Sequence, residues 1–159
     1  MGAAMNLVTE PSDRVLVITR VFDAPRELVF KAWTEPAHMA QWFGPRGFTS
    51  KVLKHDLRAG GAYRVHMVGP DGDHWSQGVY REVVPPERLA MTFGWGDANG
   101  NRTRPETTLT LLFEDVGGKT RLTMHQTFSK ETDSTRGARE GWTQTLEHLA
   151  EFVATFSNR

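Results

Sequence analysis

Cysteine is absent from the 159 residues, which removes disulfides, thiolate metal sites and cysteine nucleophiles together. Charge of one prevailing sign is absent too. Nineteen Lys and Arg balance 19 Asp and Glu, so no global field draws nucleic acid or an anionic membrane. No apolar run approaches the ~20 residues that a membrane-spanning helix needs. The opening residues, MGAAMNLVTEPSDR, contain neither the basic stretch nor the sustained apolar stretch of a secretory leader. The expected location is therefore cytoplasmic, with no nucleic acid and no membrane among the partners.

Catalytic and cofactor motifs are scarce as well. Gly94-Trp95-Gly96 with Gly100 lacks the spacing of a dinucleotide loop, and strand-like sequence follows it where a helix start would be needed. The six histidines form no HxxxH or HExxH pair on a helix, and His148 with Glu151 lies on the polar side of the last helical segment. No GxSxG elbow marks a nucleophilic serine. Asn101-Arg102-Thr103 matches a glycosylation sequon, which matters only in a secreted protein. The expectation is no metal, no cofactor and no catalytic residue.

What remains is a chain with 38% hydrophobic and 24% charged residues, enough to bury one core. Residues 1–13 read as a flexible arm and 14–157 as a single domain. Arg14 to Phe22 is rich in β-branched residues and predicts a strand. Asp23-Ala24-Pro25 reads as a helix start, with Asp23 as cap and Pro25 in the first turn. Leu28, Val29, Ala32 and Trp33 follow on one helical face, Pro36 stops the helix, and 37–43 forms a further short turn. Six strands come next: Phe48–Asp56, Ala62–Val68, Trp75–Val84, Leu89–Trp95, Thr107–Glu114 and Thr120–Phe128. From near Ser134, Trp142, Leu146, Leu149, Val153 and Phe156 recur as the apolar stripe of a long amphipathic helix. Strand, helix, strands and a final helix predict an α+β domain: an antiparallel sheet with helices on one face.

The inward strand faces carry bulky, adaptable side chains, Met67, Phe93, Trp95 and Met124, with Trp142 and Leu146 opposite on the last helix. Such residues suit a pocket for an apolar ligand, and they equally suit plain core. Polar members interrupt them: Gln126 lies between Met124 and Phe128, and Tyr80 is followed two residues later by Glu82. If Tyr80 points inward the period of two brings Glu82 with it, but Val79, Arg81 and Val83 have an equal claim to the interior. Were there catalysis, Glu82, His66 or His125 would have to supply the acid or base. For protein contacts, Trp75 beside the Pro70–Asp73 turn is the exposed apolar candidate.

Five stretches occur in a familiar order: RVFDAPRELVFKAWTEP, QWFGP, DLRAGGAYRVHMVGPDG, GVYREVVPPERLAMTFGW and, at Gly141–Phe152, GW(x)6LAEF. Together they resemble the bacterial homologues of the activator of heat-shock-protein-90 ATPase, within the START-like, birch-pollen-allergen-like superfamily. The resemblance runs from about Arg14 to Phe156. It implies a helix-grip fold, in which a curved antiparallel sheet wraps around a long C-terminal helix and two short helices close one end. It also implies a cavity between sheet and helix that holds a small hydrophobic or aromatic molecule. The ligand-binding residues expected there are Trp42, Phe43, Met67, Tyr80, Glu82, Phe93, Trp95, Met124, Gln126, Trp142 and Leu146. At least one of Trp42 and Phe43 should face the cavity while the other packs under the first helix.

Two further roles stand beside ligand binding. One is a chaperone-accessory or stress-related interaction module, with a homodimer expected on family grounds. Eukaryotic activators carry a separate chaperone-binding domain where this sequence has residues 1–13, which ranks chaperone activation second. The other is a cavity enzyme of cyclase or hydrolase type.

Overall fold

The computed structural model describes residues 15–128 and 136–157. The expected arm, the strand start at Arg14 and the helix start near Ser134 lie outside those residues. β1 (Val15–Phe22) is followed by helices α1 (Arg26–Thr34) and α2 (Pro36–Trp42). The expected place of Pro25 needs correcting: with extended backbone it occupies the N-cap itself, one position before the first turn, and offers no side-chain cap bond. Its carbonyl instead accepts from the amides of Leu28 and Val29, at 3.0 and 3.1 Å. Pro36 does not only end α1. It also opens α2 from the first-turn position, where its missing N–H costs nothing.

The strands β2 (Thr49–His55), β3 (Ala62–Gly69), β4 (Gly72–Val84), β5 (Arg88–Gly96), β6 (Thr107–Val116) and β7 (Lys119–Thr127) follow, then helix α3 (Arg136–Ser157). They form one open seven-stranded sheet in the order β1-β7-β6-β5-β4-β3-β2. All neighbouring strands pair antiparallel. Since β1 and β2 are the two edges, α1 and α2 carry the chain from one edge to the other. This is the expected α+β class, with α3 packed against β1, α1 and α2.

The period of two predicts most inward faces. Tyr63, Val65 and Met67 of β3, Leu109, Leu111 and Phe113 of β6, and Leu122, Met124 and Gln126 of β7 are all buried. Gly78 marks a close approach: an added Cβ would sit 2.0 Å from the Thr92 carbonyl oxygen and 2.7 Å from the Tyr63 hydroxyl. That space lets the Tyr63 hydroxyl donate to the Thr92 carbonyl at 2.7 Å.

β4 breaks the period. Tyr80 pairs with Met91 and Glu82 with Ala90, so Arg81 is an extra residue bulged out of the ladder. Tyr80 is buried at 2% exposure. Beyond the bulge the faces exchange, and Glu82 lies on the outer surface at 48% side-chain exposure, 2.8 Å from Arg88. The inward placement of Glu82 is therefore corrected.

Candidate functional site

A cleft of about 540 Å³ opens between the sheet and the first turns of α3. Its sheet wall is Met67, Phe93, Trp95, Thr107 and Gln126, and its helix wall is Gly141, Trp142 and Thr145. Gly137 and Ala138 continue the helix side, Phe43-Gly44-Pro45 forms one end, and Arg104-Pro105 and Phe128 complete the lining. The space exists because of side-chain size. A Cβ built at Gly137 or Gly141 would meet nothing within 4 Å. Four residues apart, these glycines share a helix face and leave a void where larger residues would reach the sheet.

A chain of hydrogen bonds runs along the floor. Trp142 Nε1 donates to Gln126 Oε1 at 2.9 Å, and Gln126 Nε2 donates to Thr107 Oγ1 at 2.9 Å. Thr107 Oγ1 donates in turn to the Phe93 carbonyl at 2.8 Å. The indole donor fixes which way the amide points, and the amide fixes the indole. Phe93 packs against Trp142 with ring centroids 5.3 Å apart, and Phe43 meets the same indole edge-on at 6.2 Å. These bonds give the buried polar atoms partners within the protein, so the floor is rigid and carries no charge.

The end wall is anchored from two sides. Gly44 has a φ of +120°, a left-handed conformation that suits glycine at the sharp exit from α2. Its carbonyl accepts from His148 Nδ1 at 2.8 Å, which places that ring proton on Nδ1, since a carbonyl can only accept. The Arg46 amide donates to Gln144 Oε1 at 3.1 Å, and its guanidinium meets Glu147 at 2.8 Å. Ser50 Oγ donates to the Phe43 carbonyl from the β2 side. The polar side of α3 thus clamps the corner that ends in Pro45.

Of the expected residues, Phe43, Met67, Phe93, Trp95, Gln126 and Trp142 come together around the cleft. Trp42 does not: it packs under α1, donating from Nε1 to the Ala32 carbonyl at 2.9 Å and meeting Trp33 edge-on at 4.8 Å. Met124 and Leu146 are 0% and 1% exposed in the close-packed interior, one step further along their elements than the cleft reaches. Tyr80 borders a separate void of about 10 Å³, room for no more than one water, together with Trp33, Met39 and Tyr63. Phe43 and Phe93 line both spaces. Trp33 Nε1, also beside this void, is buried without a hydrogen-bond partner.

The Tyr80 hydroxyl lies 3.1 Å from His55 Nε2. Burial raises the pKa of both Tyr80 and Tyr63, and it lowers that of His55 against an opposing effect of Asp56. None of the three acid–base candidates lines the cleft. Glu82 is outside. His66 stacks on Trp75 at 4.7 Å and lies 3.6 Å from Asp73. His125 follows Met124 on the opposite face of β7. Trp75, the exposed candidate, is half-buried under His66, with Arg64 5.8 Å over its ring.

Sequence reasoning missed Thr107, Arg104 and the small residues of α3. Thr107 was readable as the first inward position of the Thr107, Leu109, Leu111 alternation. Gly137 and Gly141, one helical turn apart just before the Trp142 stripe, were readable as a gap in that stripe. Arg104 lies in a loop, where no period applies.

The sequence profile described as Activator of Hsp90 ATPase homolog 1-like protein matches residues 23–154. The crystal structure of a protein from Chromobacterium violaceum superposes with a TM-score of 0.79 at 31% identity, covering 88% of this chain and 96% of that one. An AHSA1 protein from Silicibacter pomeroyi superposes with a TM-score of 0.76 at 28% identity, over 89% and 98% of the two chains. The solution structure of a protein from Arthrobacter aurescens shares the fold, with a TM-score of 0.83 at 23% identity over 93% and 90%. No curated protein matches the chain. The seven-stranded sheet and C-terminal helix are the helix-grip fold of these neighbours.

Proposed function

The chain belongs to the family of proteins like activator of Hsp90 ATPase homolog 1, and from that premise we propose that it binds a small, largely apolar molecule in the cleft beside α3. The observation that carries this reading is the pairing of an unfilled volume of about 540 Å³ with a rigid, internally satisfied floor. A cleft of that size falls within the ~300–1,000 Å³ usual for small-molecule sites. Aromatic walls from Phe43, Phe93, Trp95 and Trp142 suit a flat or ring-bearing ligand that excludes water on entry.

The test is a thermal-shift and tryptophan-fluorescence screen with uncharged planar aromatics, sterols and fatty-acid esters. A binder at a hundredfold its Kd adds about 2.7 kcal/mol of stability, and each kcal/mol raises the Tm of a domain this size by about 2–4 °C. Gly141→Leu, which fills the cleft, should abolish that shift. A ligand bound equally well by Gly141→Leu, or no stabilisation by any class together with no binding of carboxylate analogues, would overturn the proposal.

A further inference from the structure

We infer that the cleft is built for an amphipathic monoanion, with an apolar body against the aromatic walls and one carboxylate at the mouth on Arg104; this rests on the ligand-binding reading above. Among the described residues that line the cleft, Arg104 is the charged one, and neither Asp nor Glu accompanies it. It also differs from five other surface arginines that are already spent on carboxylates. Arg46, Arg58, Arg88, Arg102 and Arg121 each lie within 4.0 Å of a carboxylate oxygen, from 2.8 Å for Arg46 to 3.7 Å for Arg102. Among the described residues Arg104 has no ion pair and no hydrogen bond.

The polar atoms deeper in the cleft point the same way. Trp142, Gln126 and Thr107 bond to one another and to the Phe93 carbonyl, and Thr145 Oγ1 donates to the Gly141 carbonyl at 2.8 Å. A polar ligand group placed there would compete with bonds already made. At the mouth, the five N–H donors of Arg104 face no such competition. A planar guanidinium matches a carboxylate with two parallel bonds, and a single positive charge balances a single negative one. A phosphate dianion would be left half-compensated.

The segment that bears Arg104 is held in place. The Thr103 amide donates to the Trp95 carbonyl at 2.9 Å, and Gln77 Nε2 donates to the Gly100 carbonyl at 3.0 Å. The Asp97 carboxylate accepts from the amides of Asn101 and Asn99, each at 2.9 Å, and these bonds hold its pKa below the ordinary value. Arg102, next to this tether, is occupied by Glu106. Arg104 is thus set on a fixed rim beside Pro105, its charge unspent among the described residues.

The experiment compares shape-matched pairs by calorimetric titration at low salt: 2-naphthoate with naphthalene-2-carboxamide, and octanoate with octanamide. The two pairs separate a rigid ring from an acyl chain as the apolar body. Wild type should bind the acid of at least one pair about tenfold more tightly than its amide, a preference set by charge-assisted bonding and trimmed by exposure of the rim. Arg104→Gln should bring the acid to within about twofold of the amide and leave the amide unchanged, while Arg102→Gln keeps the preference. Equal binding of acid and amide by wild type, or a preference that survives Arg104→Gln, overturns the inference and leaves the cleft reading intact. If neither member of either pair binds while the uncharged screen yields a ligand, the inference again fails alone. If nothing binds in either experiment, both fall.

Discussion

Over its first turns α3 meets the sheet through Gly137, Ala138 and Gly141, whereas from Leu146 onward it does so through Leu146, Leu149 and Val153. The strands change in step. Toward the closed end their inward residues are aliphatic, Leu109 and Leu111 on β6 and Leu122 and Met124 on β7, all at most 1% exposed. Toward the open end the same faces carry Thr107 and Gln126. One helix and one sheet therefore make solid core at one end and a polar-floored cleft at the other. Volume removed from the helix and hydrogen bonding added to the strands together produce that difference. Empty space alone would be unstable against collapse, and it is the Trp142–Gln126–Thr107 chain that holds the two walls in a fixed relation.

Four measurements test the contrast. The largest effect belongs to the solid end: Leu149→Ala should cost about 2–5 kcal/mol in urea unfolding, because the surrounding core cannot collapse onto the hole. A loss near zero would mean that this end is as loose as the other. At the boundary, Trp142→Phe keeps the ring but leaves Gln126 Oε1 without its donor. The expected loss is about 1–2 kcal/mol, with a double-mutant cycle against Gln126→Leu returning a coupling of about 1 kcal/mol. Additive losses would show that the bond does not join the walls.

At the open end the sign should reverse. Gly141→Ala should stabilise the protein by about 0.5–1 kcal/mol, since alanine favours the helix and its methyl meets no neighbour. Destabilisation there would show that the helix face is closed in solution. The smallest effect is on pH. His55, beside Tyr80 at the inner void, has a folded pKa below its unfolded value of about 6.5. The unfolded chain then binds more protons between those two values, so stability is complete above about pH 6.5 and declines as pH falls through the window below it. His55→Gln should flatten that acid-side decline, and an unchanged profile would assign it to other groups.

Much of the fold was legible because it depends on local periods. Tyr63, Val65 and Met67 alternate without interruption, and Trp142, Leu146, Leu149 and Val153 repeat at helical spacing. Part of the candidate site followed from the same rules. Phe43 separated from Trp42 as expected, because consecutive residues at a helix end point apart. Glu82 failed for a physical reason, since nothing in the residues Tyr80-Arg81-Glu82 announces the bulge that exchanges the two faces. Met124 and Leu146 failed for another: a period says that a side chain faces inward, but not how far along the interior the packing closes.

The sequence by itself determined the order of the elements, most of their inward faces and the absence of any thiol, disulfide or prevailing charge. Those properties belong to single residues and their near neighbours. Only the tertiary structure decided that Gly137 and Gly141 stand opposite Thr107 and Gln126, that His148 reaches back to Gly44, and that Arg104 arrives at the mouth with no partner among the described residues. These juxtapositions join positions far apart in the chain, and their chemistry exists only once the sheet has folded against the helix.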